Sequence, residues 1–115
     1  MNLVVILKRA KALARSQGRL GRSPAERSDD GTIALCAGSC IARSAIELYG
    51  DAASLELFDR AVLGAEKLTL LPAVFRKYGL SEATARYAVA QNDTRSSTDR
   101  LQWFLSLDAP LMPSA

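Results

Sequence analysis

The sequence predicts one all-α domain, a compact bundle of about five helices in a single unit. Three observations carry this expectation. Apolar residues recur at spacings of three and four along segments that end on glycine. Alternating apolar and polar runs of strand type are nearly absent. The 115 residues are 49% hydrophobic and 23% charged, enough to close one core without metal or disulfide staples.

The first helix is expected over residues 3–17. Leu3, Ile6, Leu7, Ala10, Leu13 and Ala14 form its apolar stripe, Lys8, Lys11 and Arg15 lie off it, and Gly18 ends it. Residues 18–31, GRLGRSPAERSDDG, read as a long polar loop, either a binding lid or a disordered stretch. The central, buried helix is expected over residues 32–49, capped by Asp30 or Thr32 and closed by Gly50. Ala37, Gly38, Ser39, Ala42, Ser44 and Ala45 crowd its middle. A neighbouring helix can then come close, and Gly38 calls for a packing reason because an interior glycine costs about 1 kcal/mol relative to alanine.

Asp51 can cap a helix over residues 52–63. Lys67–Leu71 reads as a strand or a helical turn, and Pro72 suits the first turn of a helix that ends at Tyr78 and Gly79. Ser81 caps a helix over residues 82–91, with Glu82 at its positive end. Residues 92–97 read as a turn, and Ser96 or Ser97 starts a last helix over residues 98–107 carrying Leu101, Trp103, Phe104 and Leu105. Pro110 and Pro113 mark a tail over residues 110–115.

Composition narrows the chemistry. There is no histidine, which removes the commonest general base and the usual zinc ligand. Two cysteines are too few for a disulfide scaffold and point to a reducing cytoplasm. Residues 1–27 carry a net charge of +6 and the rest of the chain −3. Such asymmetry suits either a solvated helix face beside a polar loop or a contact with an anionic partner. The apolar run Leu3–Leu7 is too short for a secretory signal, although an arginine-rich start also resembles a transit peptide. No stretch is long enough to span a bilayer.

Candidate residues fall in three places. Cys36 and Cys40, four apart, share one face if helical. They read as a redox pair, a partial metal site or, better, two small buried hydrophobes; no third thiol or imidazole completes a metal site. Val74–Val89 (VFRKYGLSEATARYAV) looks like a helix-turn-helix with Gly79 at the turn and Ser81 as cap. It would bring Glu82, Thr84, Arg86, Tyr87 and Gln91 to DNA. Against it, Phe75 stands four before the glycine, where crossing helices need a small residue. Pro72–Arg100 also holds five basic against three acidic groups, a weak footprint for a polyanion. Asn92 and Asp93 read as structural turn residues, with a catalytic carboxylate as the alternative. Glu56 can meet Arg60 on its own helix, whereas Asp59 finds no base there.

The cysteine- and small-residue-rich CAGSCIARSAIELYG, followed much later by QNDTRSSTDRLQWFLSLDAP, resembles an uncharacterised family of small bacterial proteins. In that family such a helix precedes a Trp-Asn-Asp turn and a Ser/Thr-capped helix. Gln91 stands here in place of the Trp, while Asn92, Asp93 and Ser97 match. The resemblance implies that Asn92 and Asp93 fix the turn docking the last helix on the Cys36 helix, and it implies no activity.

The reading that follows is a small cytoplasmic binding or interaction protein without catalytic activity. No residue is assigned to catalysis, to a metal or to a cofactor. Its partner is another protein or a second copy of the chain, the latter if the small-residue helix or the Trp103/Phe104 face is left uncovered. The alternative is a DNA-binding regulator using residues 72–91.

Overall fold

The structure, a computed structural model, describes residues 2–64 and 67–108, with side chains from residue 69 onward in the second stretch. The tail expected over residues 110–115 lies outside the described residues. Six helices and one short hairpin make up the described chain: α1 (Leu3–Gln17), β1 (Ala25–Arg27), β2 (Ile33–Leu35), α2 (Ala37–Tyr49), α3 (Ala52–Ala61), α4 (Lys67–Lys77), α5 (Glu82–Asp93) and α6 (Ser97–Leu105). The protein is predominantly α, with one helix more than expected and a small sheet that was not.

Local chemistry accounts for most helix ends. Asn2 Oδ1 accepts from the N–H of Val4, and Gly18 closes α1 in the left-handed conformation at φ 76°. Asp51 Oδ1 accepts from Ser54 N–H at 2.7 Å; the Ser54 hydroxyl and, after it, this N–H hold the Asp51 carboxyl below its ordinary value. Ser81 caps α5 through the N–H groups of Ala83 and Thr84.

Two expectations are corrected. The segment 18–31 is not a loose polar loop. Leu20, Gly21 and Pro24 are buried, and β1 pairs with β2 in antiparallel register, Ala25 opposite Leu35 and Arg27 opposite Ile33. The Gln17 side chain clamps the strand end, accepting from Leu35 N–H at 3.1 Å and donating to its carbonyl at 3.3 Å. As a consequence the central helix starts at Ala37 rather than Thr32, and its cap is Cys36. Asp30 instead ties the hairpin turn, accepting from the N–H and hydroxyl of Thr32. The second correction concerns Pro72. It lies inside α4, so Lys67–Leu71 is helical, the proline costing one internal backbone bond.

α2 is the centre. Ala37 to Ala42 and Ser44 to Ile46 are buried, wrapped by α1, α3, α4 and α5. Gly38 has its packing reason: a Cβ there would stand 3.0 Å from Leu71 Cδ1 of α4. The small-residue face is thus covered by the chain's own helices. Phe104 is buried, while Trp103 beside it is half-buried. Asp59 does find a base, from α2 rather than α3: Arg43 Nε donates to it at 3.0 Å while also pairing with Glu47.

Gly21 is the tightest point of the hairpin. A Cβ there would lie 2.5 Å from the Ala34 carbonyl oxygen and 2.7 Å from Glu26 Cβ. Gly21→Ala is expected to lower stability by about 1–3 kcal/mol, because backbone must move to admit the methyl. A urea midpoint unchanged from wild type would show that the hairpin does not press on residue 21.

Candidate functional site

Sequence-distant residues meet at the start of α2. Cys36 occupies the N-cap position, its Sγ accepting from Ser39 N–H at 3.3 Å. Ser39 Oγ donates to the Pro24 carbonyl at 2.7 Å, and Cys36 N–H donates to the same oxygen at 3.0 Å. The segment before the hairpin is therefore stitched to the first turn of α2.

Asn92 completes the node. It lies in the last turn of α5 as a helical residue, not in the turn that was expected, and it is fully buried. Its Oδ1 accepts from Ala37 N–H at 3.1 Å; its Nδ2 donates to the Gly21 carbonyl and to Asp93 Oδ1, both at 2.9 Å. Its own carbonyl accepts from Arg100 Nε of α6 at 2.9 Å. One residue thus ties α2, α5, α6 and the segment at Gly21 together. Such burial of polar groups is tolerated because each is paired. Asp93 is exposed and accepts from Ser23 N–H at 3.0 Å.

The thiols lie beneath this node, not at its surface. Cys36 and Cys40 are free and buried. Burial pushes the Cys36 thiol up; the hydroxyls of Ser23 and Ser39 and the Ser39 N–H pull the other way, and the Asp93 charge adds to the rise. Burial likewise raises Cys40, further opposed to ionisation by the neighbouring Cys36. A thiolate is the nucleophile and the metal ligand, so both groups are held in their inert form. Among the described residues no three His, Cys, Asp or Glu side chains gather to hold a metal ion.

Two cavities open on either side of Asp93. One, about 300 Å³, lies between Ser23–Pro24 and the α4/α5 pair, with Leu71, Pro72, Ala85, Val89 and Ala90 as walls and Arg86 and Asp93 at its edge. The other, about 600 Å³, lies at the α5–α6 corner, lined by Arg22, Glu26, Asp93, Arg95, Ser96, Ser97 and Arg100. None of the three arginines in this second cavity stood out in the sequence. Their contributing segments are more than 70 residues apart, and the Asn92–Gly21 and Asp93–Ser23 bonds bring them together.

The α4–α5 pair has some features of a helix-turn-helix. Gly79 is left-handed at φ 74° and Ser81 caps the second helix. Yet Phe75 is wholly buried between the helices and the core. The exposed positions of α5 are Ala83, Arg86, Ala90 and Asp93, while Thr84, Tyr87 and Gln91 are half-buried. Arg86 lies 3.9 Å from Glu82, whose other oxygen takes Arg76 at 2.5 Å. Gln91 accepts from Arg95 at 3.2 Å. A single basic side chain on the open face offers little to a phosphate backbone.

Compared with protein-family models, with curated proteins and with solved structures, the chain gives no significant match. Among the described residues no helix is long and apolar enough to cross a membrane.

Proposed function

We propose that this is a small cytoplasmic binding protein that acts without covalent chemistry and presents its binding surface around Asp93. The observation that carries the reading is the division of labour at the node. The most reactive side chains, Cys36 and Cys40, are buried with their thiols held protonated, while the two cavities beside Asp93, one walled mainly by apolar side chains and the other by three arginines with Glu26 and Asp93, are suited to holding a partner. Two free thiols support the reducing compartment. The reading extends to the small bacterial family with an Asn-Asp motif, for which Asn92, bonded to Ala37 N–H and to Arg100, would be the residue joining the cysteine helix to α6.

Alkylation at neutral pH tests the reading. Both thiols are expected to label slowly in the native protein and quickly in denaturant, with native labelling still slow at pH about 8, where an ordinary thiol begins to ionise. Rapid native labelling of either cysteine would overturn a non-catalytic role.

The second reading, DNA binding through residues 72–91, draws on the left-handed Gly79 and the Ser81 cap. It predicts a mobility shift with random duplex at low salt that weakens in Arg86→Ala. Given the Glu82–Arg86 pair, the expected result is no shift for either protein.

A further inference from the structure

The cavity at the α5–α6 corner is unusual in its charge. Arg100 is only 6% exposed, yet no carboxylate lies within ion-pairing distance of it among the described residues. Its Nε donates to the Asn92 carbonyl, and its two terminal nitrogens, in the residue that lines the cavity, make no hydrogen bond. Those terminal nitrogens are not enclosed, so Arg100 presents its charge to the cavity, where no protein carboxylate pairs with it and an anion from solution can.

The surroundings repeat the pattern. Arg95 lies over the Trp103 ring at 5.1 Å and donates one nitrogen to Gln91, while its Nε is buried with no partner. Arg22 lines the same cavity from the opposite segment and forms no ion pair. The positive end of α6 also opens here. Ser96 at its cap accepts from no helix N–H; its hydroxyl donates to Asp99, the acidic residue of the first turn. The first N–H groups of α6, on Ser97 and Thr98, have no acceptor among the described residues. Two carboxylates face the same space. Glu26 is drawn toward Arg19 at 3.6 Å, and Asp93 Oδ1 is occupied by Ser23 and Asn92.

We propose that this corner binds the phosphoryl group of a small phosphorylated compound. Arg22, Arg95 and Arg100 supply planar donor forks matched to a tetrahedral oxyanion, and the α6 N–H groups point at the same charge. The cavity, about 600 Å³, exceeds what one phosphoryl group fills and leaves room for the remainder of the molecule. The proposal names a ligand class for the binding protein described above and rests on that reading.

Trp103 is the chain's one tryptophan and carries Arg95 on its face, so it reports on the site. The full-length protein is titrated with inorganic phosphate and with ribose 5-phosphate, against sodium chloride at equal ionic strength. The expected result is a saturable fluorescence change with both phosphates, stronger for ribose 5-phosphate, and none with chloride. Inorganic phosphate binding as tightly as the sugar phosphate would overturn the assignment of a phosphorylated compound. Because Arg100 also holds the Asn92 carbonyl, the deciding variants are Arg95→Gln and Arg22→Gln, measured by calorimetry after their fold is checked by circular dichroism. Each is expected to weaken binding, Arg95→Gln by roughly tenfold. Phosphates acting no differently from chloride, unchanged affinity in the double variant, or binding of duplex DNA alone would each overturn the site. Failure here with both thiols still slow to label removes the anion site alone; fast native labelling removes the wider reading.

Discussion

Phe75→Ala is expected to destabilise the protein by about 3–5 kcal/mol, a large part of what a domain of this size has to lose. Phe75 is wholly buried and among the largest fully enclosed side chains. It comes from α4 and packs into the same cluster as Leu71, Tyr78 and Ala85, so truncation removes a ring that α2, α4 and α5 close around. The cost has two parts, the apolar surface no longer buried and the cavity the neighbours cannot fill. The experiment also bears on the α4–α5 corner. Two helices crossing closely for DNA recognition need a small residue at this position, and alanine there would be tolerated. Urea unfolding of wild type, Phe75→Leu and Phe75→Ala checks it, with the leucine variant losing less. A loss under about 1 kcal/mol for the alanine variant would mean that residue 75 fills no essential volume and would revive the DNA-binding reading.

Asn92→Ala is expected to cost about 3 kcal/mol or more, through unpaired polar groups rather than lost volume. Without the amide, the Ala37 N–H and the Gly21 carbonyl are left in the interior with no partner, each at about 1–3 kcal/mol. Asn92→Asp separates the two bonds. One oxygen can still accept from Ala37 N–H. The other then faces the Gly21 carbonyl and Asp93, which favours a protonated carboxyl in the fold and raises its folded-state pKa. A carboxyl whose folded pKa is raised favours folding below its unfolded value, and that contribution is lost as pH climbs through the folded one. Relative to wild type, Asn92→Asp should therefore be closest in stability near pH about 4 and furthest below it at neutral pH. Thermal melts at the two pH values check this, and a pH-independent difference would show that Nδ2 is not engaged as described. The same residue carries Arg100, so its loss is also expected to loosen the arginine cavity.

Much of the helical layout was legible because its signals are local. The Leu3–Ala14 stripe, the left-handed Gly18 and the caps at Asp51 and Ser81 act within one or two turns of chain, and each stands where its spacing puts it. The hairpin was less legible. Strands of three residues are too short to show an alternating pattern, though Asp30-Gly31 followed by β-branched Thr32 and Ile33 is a turn-and-strand signal of the kind hairpins use. Cys36 as a cap runs against the usual preference for Ser, Thr, Asn or Asp at that position. Pro72 reads as a helix start, and only packing of α4 on α2 makes its place inside a helix tolerable.

The amino-acid order alone settled the helical class, the punctuation by glycine and cap, and the small-residue character of the central helix, because those follow from backbone preference and apolar period over a few residues. Packing decided the rest. Whether a thiol is reactive depends on how deeply it is covered, and whether an arginine has a counter-charge depends on what the far end of the chain brings near it. Asn92 reaches Gly21 across 71 positions, and no local pattern encodes a bond of that length. The closed thiols beneath the node and the unpaired arginines above it are properties of that closure.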